Sequence, residues 1–212
     1  VASSAKKGDA AINHFRNTIA AVVHVQIIFQ ARHNNDLPFE RVAGNILRSL
    51  KAVANAAHDC EGNIIACPFM GMVVAFNCFT SCNKVPKKAH RFIDILLKET
   101  DALDERLELL VGGAMGPVFA GTMGDSLHCN GVVVGEPVEM AESLAHLSMS
   151  TNFLRGITGK VLLTSSLSES IASVLGEDCV LCCDVISLQP DVGLRSTACS
   201  STAGKGSSRP TV

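Results

Sequence analysis

Nine cysteines and seven histidines are the side chains of this 212-residue chain best suited to bind a metal or act as nucleophiles. Cys179-x-x-Cys182-Cys183 and Cys78-x-x-x-Cys82 have spacings used by zinc and redox centres, and the adjacent His128 and Cys129 could add ligands. Both cysteine groups lie in apolar, strand-like stretches, so buried structural thiols are the expectation and no metal or other cofactor is assigned. His24 falls inside an apolar run and His146 late in a helical one, and each is expected to be a satisfied or surface histidine rather than a ligand. A G-x-S-x-G elbow is missing, which removes the serine-hydrolase arrangement. Gly204-Lys205 is not a phosphate loop either, because Cys199 stands where that motif needs its first glycine. The methionines Met70, Met72, Met115 and Met123 near the glycine-bearing strands are expected to fill core space.

The most specific pattern is Gly116-Pro-Val-Phe-Ala-Gly-Thr-Met-Gly124, followed by Gly135-Glu-Pro-Val-Glu-Met-Ala141. So many glycines let another backbone or a ligand approach a strand closely; composition alone predicts a glycine-rich bulge and tight turn.

Composition narrows the classes of function. The chain is 47% hydrophobic and 18% charged, which predicts a folded domain and excludes intrinsic disorder. A net charge of −2 with no basic run longer than Lys87-Lys88 leaves no electrostatic footprint for nucleic acid. Low charge with neither Trp nor Tyr predicts a surface that buries part of itself against a protein partner or a second copy. An odd number of scattered cysteines fits a reduced, cytoplasmic setting. Residues 62–83 run without an acid or base other than cysteine, long enough to span a bilayer. Asn63, Pro68, Gly71, Asn77 and Asn83 break that run into two strand-length pieces, Ile64–Cys67 and Met72–Phe76, so a hairpin is predicted and no transmembrane segment.

The elements that must position these residues follow from periodicity. Residues 1–11 and 191–212 read as flexible tails around a domain of about 12–190, the second tail being rich in Ser, Thr and Gly. Val22–Ala31 is a β-branched strand. From Pro38, apolar residues recur every three or four positions through Ala57, predicting a long amphipathic helix. A second helix opens near Pro86 and carries Ala89, Phe92, Ile93, Leu96, Leu97, Leu103 and Leu107 on its buried side, and a cluster of acids from Glu99 to Glu108 reads as its solvated face. Glu108–Gly124 returns to strand and glycine-rich turn. A third helix starts at Pro137, and Ser166-x-x-Glu169 predicts a capping box for a short fourth. Lys160–Thr164 and Val180–Leu188 are closing strands. The resulting order, β-α-β-β-α-β and then α-β-α-β, predicts an α+β sandwich with a ferredoxin-like core.

The glycine pattern, then a strand, then G-x-x-V-x-x-A at the mouth of a helix, resembles the signature of class III adenylate/guanylate cyclase catalytic domains. Its carriers are Gly116, Pro117, Val118, Ala120, Gly121 and Gly124, then Gly135, Val138 and Ala141. Val25–Phe29 is similar to that family's first strand, Gly71–Phe76 to its metal-binding hairpin, and Lys160–Thr164 to its closing segment, so the likeness covers roughly 20–190. It implies a two-metal reaction in which paired aspartates hold Mg²⁺ or Mn²⁺ while the ribose 3′-hydroxyl displaces pyrophosphate. At the positions it assigns to the aspartates this chain has Ala31 and Met72. Pro68 and Val132 stand at the base-reading positions, and Glu139 and Ser143 where an asparagine and an arginine steady the leaving group. No Asp lies between Glu61 and Asp94, so sliding the hairpin alignment restores no ligand. The expectation is a degenerate, non-catalytic cyclase-like domain in signalling that pairs with a like domain or a larger assembly. Its alternatives are a divergent active cyclase making a cyclic nucleotide from ATP or GTP, and a small-ligand sensor.

Overall fold

The β-branched run around Val22–Ile28 forms the middle of a much longer strand, β1 (His14–Phe29). In the computed structural model the residues described are 14–29, 39–68, 70–101, 107–124, 129–151, 161–175, 185–189 and 192–197. Residues Ala20–Val25 are buried on both faces, as a central strand requires, whereas Phe15, Asn17 and Ile19 are exposed. That mixture of polar and apolar positions concealed the first half of β1 in the sequence.

The amphipathic stretch after Pro38 is helix α1 (Phe39–Asp59), and the hairpin follows as β2 (Asn63–Ala66) and β3 (Gly71–Phe76). Helix α2 (Val85–Asp101) buries Ala89, Phe92, Ile93 and Leu96. It ends before Leu103, which lies outside the described residues, and Leu107 opens strand β4 (Leu107–Gly124) instead of extending the helix. The spacing of Leu103 and Leu107 coincided with a helical period, but pairing of 107–122 with β1 decides the conformation. The chain continues as β5 (Cys129–Val134), α3 (Glu136–Thr151), β6 (Val161–Leu163) and α4 (Ser165–Leu175). It closes with β7 (Val185–Gln189) and β8 (Val192–Thr197), which pair with each other; β8 lies in the stretch expected to be tail. Among the described residues no helix is long and apolar enough to cross a membrane.

The main sheet has the order β2-β3-β1-β4-β5, with β6 added in parallel beside β4. β1 and β4 run antiparallel from Phe29↔Leu107 to His14↔Thr122 without a register shift, so the bulge expected at 116–124 does not form. Helices α1, α2 and α4 cover one face, where Val53, Phe92 and Leu167 meet the odd-numbered β1 residues Ala21, Val23, Val25 and Ile27. Helix α3 covers the other, where Ala141 meets Ala20, Val22, Ala114 and Val118. This is the α+β architecture expected, in three layers.

Local details fix the ends of the elements. The Asn77 amide donates to the Ile19 carbonyl (2.9 Å) and to the Thr18 hydroxyl (3.2 Å), while its oxygen accepts the Cys82 N–H (3.0 Å). The Arg16 guanidinium donates twice to the Cys78 carbonyl, so a β1 side chain satisfies the loop after β3, while Asn77 of that loop satisfies the Ile19 carbonyl on the β1 edge that β3 does not reach. Asn77 itself has φ 71°, a left-handed conformation that asparagine tolerates. Ser166 is not the cap of α4. Its hydroxyl donates to the Met115 carbonyl (3.0 Å), and the helix starts at Ser165, one residue after Thr164, whose carbonyl accepts the Ser168 N–H.

Candidate functional site

The period of two along β1 places His24 and Gln26 on the face covered by α3, opposite the main core. Gln26 pairs with Gly71 at the start of β3, and the gap left by that glycine is narrow: a Cβ there would sit 3.0 Å from Gln26 Oε1 and 3.4 Å from His24 Nε2. Met70 turns the hairpin with φ 54°, and its carbonyl accepts the Ile27 N–H (2.7 Å) and the Gln26 side-chain amide (3.2 Å). Because the Gln26 nitrogen is committed to Met70, its oxygen faces His24 Nε2 at 3.4 Å, and an amide oxygen only accepts. The proton therefore sits on Nε2, leaving the buried Nδ1 without a hydrogen-bond partner. From α3, His146 brings its ring to 5.9 Å from that of His24, and Glu142 lies one turn earlier.

The sequence reading did not assemble this cluster, in which the buried His24 and Gly71 and the half-buried Gln26 and Met70 meet the exposed His146 of α3. The shared face of His24 and Gln26 was legible from their spacing; the approach of His146 is tertiary and left no signal. His24 is only 1% exposed, so it is a core histidine, while His146 is exposed.

Burial lowers the His24 pKa below 6.5, outweighing the opposing hydrogen bond to Gln26 and the Glu142 charge; nearby His146 lowers it further. The unfolded chain thus binds a proton at this position at a higher pH than the folded one. The resulting stability is full above about pH 6.5 and is lost as pH falls toward the folded pKa. In thermal melts from pH 7.5 to 5, the midpoint of the wild type should fall more steeply than that of His24→Gln; equal slopes would show that His24 does not carry the effect.

Among the described residues, the positions assigned by resemblance to metal and nucleotide fall on the hairpin, β5 and α3. Met72 is 6% exposed and packs in the main core beneath the helices, because it pairs with Val25 and shares its face. It therefore fills core space, as expected of the methionines, and offers no atom to a metal at the hairpin. Pro68 is half-buried at the hairpin turn, where its carbonyl accepts the Gly71 N–H. Val132 sits half-buried on β5 opposite Gly121, and Glu139 and Ser143 are exposed on α3, across the sheet from Met72. Ala31 lies outside the described residues, as do Cys179, Cys182, Cys183 and His128. Cys78 and Cys82 are both buried, and burial pushes the Cys78 thiol up to about 11, so it is a neutral packing group as expected.

The glycine signature is structural. Val118 and Ala120 are buried in the core under α3, together with Ala141, and Val138 packs against them. Gly124 ends β4, and Gly121 pairs with Phe15 and Val132 on the strands either side. Gly135 has φ +154°, where a side chain would be strained, and its carbonyl accepts the Val138 N–H in the first turn of α3. Gly116 and Pro117 line a cavity of about 240 Å³ with Glu136, Pro137, Thr164 and Ser166.

No protein-family model matches the sequence, and no curated protein does. Solved structures do match. The adenylyl cyclase CyaB from P. aeruginosa aligns with a TM-score of 0.62 at 16% identity, covering 86% of this chain and 92% of that one. The fold is that of the class III nucleotide cyclase catalytic domain. A bacterial light-regulated adenylyl cyclase aligns with a TM-score of 0.60 at 15% identity over 74% of the cyclase-like chain, which spans 46% of that protein's length. A dimeric guanylyl cyclase domain from the RhoGC fusion protein of the aquatic fungus Blastocladiella emersonii aligns with a TM-score of 0.61 at 12% identity, covering 74% and 86% of the two chains. The scaffold inferred from the glycine signature and the element order is thus the observed one for this cyclase-like domain.

Proposed function

We propose that this cyclase-like domain is catalytically silent and acts as a regulatory or structural interaction module in signalling, pairing with a like domain or within a larger assembly. The observation that carries the reading is the character of α3. Glu136, Glu139 and Glu142 are all exposed along its first two turns, where the resemblance puts a neutral amide and a guanidinium facing polyphosphate. Three carboxylates repel a triphosphate, and Ser143 adds no positive charge to the developing pyrophosphate. The hairpin supports the same reading. Its turn is Cys67-Pro-Phe-Met-Gly-Met72, and the β1 residue beside it is Gln26, whose amide is held by the Met70 carbonyl. Hard divalent cations favour carboxylate oxygens, and the turn offers none.

Calorimetric titration of the chain with a non-hydrolysable ATP analogue and Mn²⁺ tests this proposal. The expected result is no saturable heat at millimolar analogue; a saturable isotherm that requires the metal would overturn it.

A further inference from the structure

Helices α1 and α2 pack together over one face of the sheet, and Lys88 at the start of α2 pairs with Glu61 just beyond the end of α1. The outer surface of this layer is basic. Arg41, Arg48 and Lys51 on α1 and Lys84, Lys87 and Arg91 at the start of α2 are all exposed, and spacings of three, four and seven put each set along one side of its helix. Two acids of the layer are paired, Glu61 with Lys88 and Asp94 with Lys98 (2.7 Å); Glu40 and Asp59 stand at the two ends of α1 and Glu99 in the last turn of α2. The first turn of α2 holds no acid, although a helix N-terminus favours carboxylates and disfavours lysines. Helix stability therefore does not account for Lys84, Lys87 and Lys88 gathering there. Helix α3, on the opposite face of the sheet, has the reverse charge: Glu136, Glu139 and Glu142 are exposed, and no Lys or Arg falls between 136 and 151.

We propose that the α1–α2 face seats this domain on an anionic lipid bilayer, resting on the surface without crossing it. The inference goes beyond the silent-module reading and does not depend on it. Charge complementarity names an anionic occupant, because each Lys or Arg held near a leaflet rich in phosphatidylserine is drawn by its negative surface potential. Leu47 narrows the choice to lipid. It is 66% exposed, more than any other large apolar side chain among the described residues, and it stands next to Arg48 and one turn before Lys51. A bilayer accepts both parts at once, the leucine below the headgroups and the cations among their phosphates and carboxylates. An acidic polypeptide would instead leave the leucine against carboxylates. The α3 acids fix the orientation, since a negative leaflet repels their face and leaves it toward water.

Cosedimentation of the full chain with vesicles tests the proposal, with circular dichroism as a check on folding. The chain should bind vesicles of phosphatidylcholine containing about a third phosphatidylserine, stay in the supernatant with phosphatidylcholine alone, and be released by high salt. Lys87→Ala combined with Arg91→Ala should weaken binding by roughly tenfold or more. Leu47→Ser should weaken it severalfold. Phe119→Ser, which removes exposed apolar surface from β4, should bind like the wild type. A chain that ignores the anionic vesicles would overturn the proposal, as would binding that survives the loss of the two cations or of Leu47, or that is abolished by Phe119→Ser. Retention on immobilised polyglutamate without vesicle binding would overturn it too, and would assign the face to an acidic protein.

Discussion

Gly112→Leu detaches helix α3 from the sheet. A Cβ at Gly112 would overlap the Ala141 carbonyl oxygen and the Ala145 backbone nitrogen, both fixed parts of α3. Ala141 and Ala145, one turn apart and fully buried, let the helix backbone lie directly on β4 at the glycine. Main-chain atoms cannot swing aside as a long side chain can, so the helix must shift as a unit. Overpacking a core ordinarily costs 1–3 kcal/mol, and contact with backbone puts this site at or above about 3 kcal/mol even for Gly112→Ala. Leucine adds bulk with nowhere to go. The check is a thermal melt with hydrogen exchange: the midpoint should drop by roughly 10 °C, at about 2–4 °C per kcal/mol for a domain of this size. Protection should be lost first in α3. A variant melting within 2 °C of the wild type would show that α3 is not seated on this glycine.

Phe92→Ala should be nearly as costly, through a cavity rather than a clash. Phe92 is fully buried on α2, with its ring 5.7 Å from that of Phe76 and tilted by 59°, a tilted aromatic pairing that joins the helix to β3. Removing a buried phenylalanine costs about 3–5 kcal/mol because the surroundings collapse only in part. That is a large share of the roughly 5–15 kcal/mol by which domains are stable. Phe92→Leu keeps most of the volume and should cost no more than about 1.5 kcal/mol. Equilibrium denaturation separates them: the alanine variant should lose several times as much stability as the leucine variant. Equal losses would place the energy in the ring pairing alone.

Which parts of the fold could be read from the chain depends on whether local spacing or distant packing decided them. Helix α1 and the β2–β3 hairpin were legible because their apolar periods are sustained and their breaks carry proline, glycine and asparagine. The glycines of 116–124 suggested a bulge because glycine content alone does not distinguish a bent strand from a straight one crowded by a helix. Here Gly112 makes room for α3 and Gly116 for Pro137. Ser166 satisfied a capping pattern, yet its hydroxyl turned to a carbonyl 51 residues away. Met72 illustrates the same limit at the candidate site: correspondence with a signature gave its neighbourhood, but strand parity put it under the helices and left Gly71 beside the polar cluster. His24 meeting His146 depended on the docking of α3, which no local pattern encodes.

On the proposed reading, the cyclase scaffold persists while its exposed α3 carboxylates and carboxylate-free hairpin leave it without the means to cyclise a nucleotide. Incubating the purified chain with ATP or GTP and Mn²⁺ and following cyclic nucleotide by mass spectrometry tests this most directly. No product above a heat-inactivated control is the result predicted; turnover that scales with the chain and copurifies with it through successive columns would contradict the claim.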